Sequence, residues 1–251
     1  MTATRADFLA RIRAEVAKTP GSFEAQTATR PPRPVEAAQA VRRQMAERWP
    51  EALERFRREF EAVAGVFHRV KTAAEVPAAV LAIAREKSAR EVVAWDAAML
   101  GLDLRPALTA AGLAVGTVAA GDNGEAARLR HRGEAARADL GITGVDCALA
   151  ETGTMILLSG AGRPRSTSLL PATHVAVFDR RRLVESLEQV GIMLEALHTD
   201  PARTMSGAVI NFITGPSRTA DIELTLTRGV HGPKEVHAVF VDEPLGPEGL
   251  A

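Results

Sequence analysis

The sequence has one cysteine, no tyrosine, four lysines, few aromatic residues of any kind and no excess of charge of either sign. Each shortage removes a class of protein. Cys147 alone can form no internal disulfide. Nor can it hold an iron-sulfur cluster or a zinc site built on several cysteines, so no such cofactor is expected in this chain. Eight Phe, two Trp and no Tyr leave little material for base-stacking platforms. With 31 basic residues balanced by 31 acidic ones there is no positive field to draw nucleic acid or an anionic membrane. Because only four of those 31 are Lys, arginine is nearly the whole basic complement, which reads as a genome rich in arginine codons rather than as phosphate-binding forks. No apolar run approaches the ~18 residues that span a bilayer. The start, "MTATRADFLARIRAEV", includes Asp7 and Glu15 and lacks the apolar stretch of a secretory signal. A cytoplasmic protein is expected, with no membrane insertion and no nucleic-acid partner.

What is present is enough for a sizeable core: 251 residues suit one large domain carrying an arm. Phe8, Leu9, Ile12 and Val16 recur at helical spacing, so residues 5–17 read as an amphipathic helix, facing its own domain or else a membrane or partner surface. "TPGSFEAQTATRPPRPVE" is a proline-rich linker, and helices are expected over 35–48 and 50–64, with Pro50 in the first turn of the second. Residues 1–64 therefore form a helical N-terminal extension, and 65–251 the main domain.

From residue 65, short β-branched runs alternate with Ala-rich stretches. "GVFHRV", "EVVAW" and "LAVGTVA" are each followed by a predicted helix, over 72–87, 96–110 and 122–138. That rhythm predicts an α/β fold with a mainly parallel sheet and helices on both faces. In "CALAETGTMILLSG" two apolar runs flank "ETG" with no room for a crossover helix, so an antiparallel hairpin or bend is expected near the middle. "HVAVFD" (174–179), a helix over 180–197, "GAVINFI" (207–213) and "EVHAVFVDE" (235–243) resume the pattern.

Three glycine-containing polar turns interrupt the strands: "GITGVDCALAETGT" (141–154), "NFITGPSRTADIE" (211–223) and "RGVHGPKE" (228–235). In open α/β sheets, loops at the carboxyl ends of strands line the ligand crevice, and "TGPSR" directly follows a predicted strand. Two compatible readings of it stand. Gly215-Pro216 is a turn, with Ser217 or Thr219 capping a new helix and Asp221 in its first turn; or the free N–H groups of that helix and Arg218 form an anion site. Glu151, two residues before Gly153, is either an exposed turn residue or a carboxylate serving as base, nucleophile or hydrogen-bond acceptor. His231 is a solvated loop residue, a general acid/base or a donor to an anion. "SGAGRPRSTSLLP" offers Arg163 and Arg165 on a glycine-rich loop but matches neither a P-loop nor a dinucleotide fingerprint. The six histidines form no HxH or HExxH pattern, so no metal site is expected.

Taken together, "GITGVDCALAETGTMILLSG", "RSTSLLPATHVAVF" and "ITGPSRTADIELTLTRGVHGPKEVHAVFVDE" closely resemble the lactate utilization protein C family, whose module is the LUD domain. The similarity runs from about residue 65 to 243. It implies a fold similar to the NagB/RpiA/CoA-transferase-like superfamily, in agreement with the strand-helix rhythm. Family members are implicated in bacterial oxidation of L-lactate to pyruvate, so the resemblance implies iron-sulfur oxidoreductase partners whose clusters sit on other chains; a homo-oligomer is also compatible with it. The matching motifs make Thr143, Glu151, Thr152, Gly153, Thr154, Thr214, Gly215, Pro216, Ser217, Arg218, Asp221, His231 and Gly232 the candidate site residues.

Three functional expectations follow. The first is an accessory or ligand-binding component of lactate utilization, holding an unidentified small anionic ligand in a cleft at strand carboxyl ends where the three turns converge. The alternative is an autonomous enzyme. CoA transferases use a Glu nucleophile in a Glu-x-Gly turn, and Glu151-Thr152-Gly153 is similar in outline, with Arg218 and His231 as anion stabilisers. The third is a scaffold in which all three turns are only turns.

Overall fold

The computed structural model describes residues 5–18, 31–119, 121–122, 124–199, 209–219 and 227–246. They belong to two compact units, Met1–Pro32 and Arg33–Ala251. The first contains helix α1 (Arg5–Ala17), as its hydrophobic spacing predicts; residues 19–30 of the proline-rich stretch lie outside the described residues.

Along the second unit come α2 (Pro34–Ala62), β1 (Val66–Val70), α3 (Val76–Glu86), β2 (Glu91–Ala94), α4 (Ala97–Leu100), α5 (Arg105–Ala110), β3 (Ala114–Thr117), α6 (Glu125–Arg137) and β4 (Leu140–Gly144). Then follow β5 (Cys147–Leu149), β6 (Thr154–Leu158), α7 (Ser166–Leu169), β7 (Thr173–Asp179), β8 (Leu183–Val184), α8 (Leu187–Thr199), β9 (Ile210–Ile213), β10 (Arg218–Thr219), β11 (Thr227–Arg228) and β12 (Glu235–Val241).

Six of these strands form one sheet in the order β1-β12-β7-β4-β2-β3, with every neighbouring pair parallel. Both faces are covered, which is why β7 ("THVAVFD") is apolar along most of its length and buried throughout. Register assigns the faces. Gly141, His174, Ala176 and Phe178 share one side. There a Cβ on Gly141 would collide with the Thr167 carbonyl of α7, and the Phe178 ring meets Phe56 of α2 edge-on at 5.4 Å. On the other side lie His68, Glu235 and His237, and Lys87, just past the end of α3, pairs with Glu235. A second sheet, β8-β5-β6-β9, is built on the expected hairpin: β5 and β6 are antiparallel, with Cys147 opposite Ile156.

Several predicted elements differ in detail. Residues 34–62 form one 29-residue helix with Pro50 inside it, not two. A mid-helix proline costs about 3 kcal/mol, but Met45, Leu53, Phe56 and Phe60 before and after it are all buried in the same core, so continuity keeps one apolar face intact. The predicted helix over 96–110 is broken at Gly101, which takes φ +77°. The predicted helix over 180–197 begins only at Leu187. The Asp179 carboxylate accepts the Arg181 N–H to form a tight turn, and Leu183-Val184 pair with Ala148-Leu149 as a strand. "GAVINFI" supplies β9, which is antiparallel to β6 and so does not extend the parallel sheet.

Candidate functional site

Where "TGPSR" was expected to open a helix, Gly215 turns at φ +84° and Arg218-Thr219 pair with Thr227-Arg228 in a short antiparallel ribbon. Asp221 lies outside the described residues, and Arg218-Thr219, where the expected helix was to begin, are extended. The ribbon brings the other turns together. Pairing of Met155 with Ile213 sets Thr154 beside Thr214, and their hydroxyls are 2.7 Å apart. Thr152 hydrogen-bonds Thr154 at the same distance, giving a ladder of three hydroxyls. On the other flank Ser217 binds the "GVHGP" turn three times. Its N–H donates to the Pro233 carbonyl (2.9 Å), its carbonyl accepts from Gly229 (3.1 Å), and its Oγ accepts the His231 N–H (3.2 Å). Gly232 lies close by: a Cβ there would stand 3.5 Å from Ser217 Cβ. "ETGT", "TGPSR" and "GVHGP" therefore form one hydrogen-bonded surface.

Its location corrects the expectation of a cleft at strand carboxyl ends. "TGPSR" does follow the carboxyl end of β9, but β9 pairs antiparallel with β6 in the second, mixed sheet. Pro233 leads into the start of β12, Lys234 N–H donates to Ala172 just before β7, and Arg218 donates to the Val63 carbonyl just before β1. The three turns sit at the amino edge of the parallel sheet.

Much of the polar and glycine chemistry there also fastens helices. Gly153 adopts φ +62°, and a Cβ on it would lie 2.6 Å from Phe60 Cα; one on Gly215 would lie 2.8 Å from the Val63 carbonyl oxygen. Both glycines admit the last turn of α2. Arg218 caps a carbonyl at that helix end, and Glu151 Oε2 accepts the Leu187 N–H at the start of α8 (3.1 Å). Pro216 is buried beside them. Glu151, Thr152, Thr214, Arg218 and His231 are exposed.

Thr143 is not part of this surface. It is buried within β4, hydrogen-bonded to His174 (2.8 Å), whose ring burial pushes down to a pKa of about 3. Cys147 is no nucleophile at neutral pH, since burial pushes its thiol up to about 12. Arg163 of the glycine-rich loop is committed to the buried Asp146 (2.9 Å) and stacks over Trp95. Sequence reasoning missed a stacked histidine pair between β1 and β12: His68 Nε2 and His237 Nδ1 are 3.0 Å apart, and burial lowers both pKa values. Its signal was a histidine at an interior position in each of two strands rich in Val and Phe. Among the described residues no cluster of His, Cys, Asp or Glu could hold a metal ion, and no helix is long and apolar enough to cross a membrane.

A doubly covered parallel sheet with a hairpin sheet beside it, and turns of these sequences, matches a known family. The LUD domain model matches residues 53–241, and the chain belongs to that family. It is 43% identical over 122 residues to "Lactate utilization protein C" of Halalkalibacterium halodurans, covering 49% of this chain and 51% of that protein. A protein of the same name from an Exiguobacterium species is 43% identical over 109 residues, covering 43% and 46%. The chain thus spans about half the length of the curated relatives it matches. The crystal structure of a DUF162 family protein from Deinococcus radiodurans superposes with a TM-score of 0.53 at 22% identity, over 77% of this chain and 98% of that one, which supports the fold.

Proposed function

We propose that this chain serves bacterial L-lactate utilization as an accessory, ligand-binding component, holding a small organic anion at the surface formed by the three turns. The relatives' names support the pathway. The observation that carries the site is the wiring of turns from residues 151–154, 214–218 and 229–233 through side-chain hydroxyls, with Thr214 and His231 left open to solvent. Hydroxyl and N–H groups presented on a rigid, cross-linked turn surface suit a carboxylate. In this reading the chain carries no redox cofactor of its own, acts in the cytoplasm beside iron-sulfur oxidoreductase chains, and shares ancestry with the NagB/RpiA/CoA-transferase-like enzymes.

The alternative, Glu151 as a CoA-transferase-like nucleophile, is less well supported because Glu151 Oε2 already accepts the α8 N–H. The test is growth of a deletion strain on L-lactate, complemented with wild type, Thr214→Val, Ser217→Ala or Glu151→Gln. In parallel, calorimetry of each purified protein is run with L-lactate and pyruvate. Thr214→Val and Ser217→Ala should weaken anion binding about tenfold and slow growth, with Glu151→Gln close to wild type. Full growth and unchanged binding in the first two would sink the site. Loss confined to Glu151→Gln would favour the enzyme.

A further inference from the structure

The carboxyl edge of the parallel sheet, opposite the three turns, is where open α/β sheets ordinarily receive ligands. A cavity of about 260 Å³ lies there, beneath α2. Its location follows from the chain: Arg180–Leu183 continue directly from the end of β7, and Trp49 stacks on Phe240 of β12 at 5.9 Å. The interior is apolar, formed by Val41, Met45 and Trp49 of α2, Leu183 of β8 and Met193 of α8. The rim is cationic. Arg42, Arg180 and Arg181 line it, and no acidic residue does.

Arg180 and Arg181 are differently engaged. Arg181 is held by the Asp179 carboxylate (2.8 Å) and by the Leu245 and Gly246 carbonyls, so it is fixed in place. Arg180 lies over the Trp49 ring at 6.0 Å and makes no ion pair among the described residues. Stacking covers the face of a guanidinium and leaves its edge N–H groups able to fork onto a carboxylate. Opposite the charge, the apolar wall would gain only by covering hydrocarbon. At about 30 Å³ per water, the space suits a molecule on the order of ten non-hydrogen atoms.

We propose that this cavity binds an organic carboxylate with a short hydrocarbon tail, its tail between α2 and α8 and its carboxylate forked by Arg180. The site is separate from the three turns and does not depend on their function.

Octanoate is the probe, with octanol as the uncharged control of equal tail length and L-lactate as the anion without a tail. Binding to the full chain is read by calorimetry and by the Trp49 emission, with Trp49→Phe identifying which indole reports. Octanoate should bind saturably, at least tenfold more tightly than octanol or lactate. Arg180→Gln should weaken it about tenfold, since a hydrogen bond to a charged group is lost. Ala46→Trp, an exposed position at the cavity wall, should block it while thermal unfolding shows the protein intact. Non-saturable octanoate binding, octanol binding as tightly, or saturable octanoate binding untouched by both Arg180→Gln and Ala46→Trp would each overturn the proposal. Lactate binding lost in Thr214→Val with octanoate binding intact would separate the two sites.

Discussion

At Gly153 a single hydrogen decides the local structure. The residue sits at φ +62° with the backbone of α2 against it, so an alanine would meet both the left-handed backbone penalty and a collision with Phe60. Gly153→Ala should cost at least 3 kcal/mol, measured by urea unfolding. Gly191→Ala is the internal control: this glycine lies inside α8 with nothing within 4 Å of a built Cβ, and alanine there should add about 0.5–1 kcal/mol through helix propensity. If the two substitutions had the same effect, the packing account of the "ETGT" turn would fail. The sequence already showed that a glycine after Glu151 allows close approach or positive φ. It could not show what approaches, because the partner lies more than ninety positions away in a helix assigned to a separate extension. The hydroxyl ladder was hidden for the same reason, since Thr152-Thr154 is local but Thr214 joins only through the β6–β9 register.

Helix α2 is the element on which sequence and structure differ most usefully. Pro50 is a reasonable helix start, and nothing local contradicts that; the long apolar face that overrides it becomes visible only when Phe56, Phe60 and Phe178 meet in one aromatic cluster. Truncating Phe56, which is fully buried, should therefore destabilise the whole second unit in one transition. A loss of about 3–5 kcal/mol is expected for Phe56→Ala from lost burial plus the residual cavity. An early, separate transition for residues 34–62, seen by hydrogen exchange, would mean that α2 is an appendage. Five of the six strands of the parallel sheet were legible because β-branched runs of four to seven residues bounded by Ala-rich stretches have few other uses; β4 ("LGITG") reads as part of a polar turn, because its two glycines mask a strand that is buried on both faces. "TGPSR" did not reveal that Arg218-Thr219 would be extended, because glycine, proline, serine and threonine serve both a helix cap and a turn into a ribbon. Which edge of the sheet the turns occupy was also beyond local reading: it depends on β9 joining β6 rather than the parallel strands.

Across the molecule, the histidines couple its folding to pH. His131, His174 and His237 are all buried, and burial lowers the pKa of each, to about 3 for His174. The sign follows from which state takes up protons. Above the ordinary value of 6.5 the rings are neutral in both states and stability is unaffected. As pH falls below 6.5 the unfolded chain binds a proton that folded His174 refuses, so stability drops by about 1.4 kcal/mol per pH unit for this ring until its folded pKa is reached. At pH 5 the loss from His174 alone is about 2 kcal/mol. His131 and His237 act in the same direction; Asp146, whose carboxyl burial pushes up, opposes them. Urea unfolding at pH 7.5 and 5.0 should show the drop. His174→Gln, which keeps a hydrogen-bonding partner for Thr143, should shrink it. Equal stability of the wild type at the two pH values would mean that His174 is solvated in the folded protein, and the doubly covered sheet would have to open beside β7.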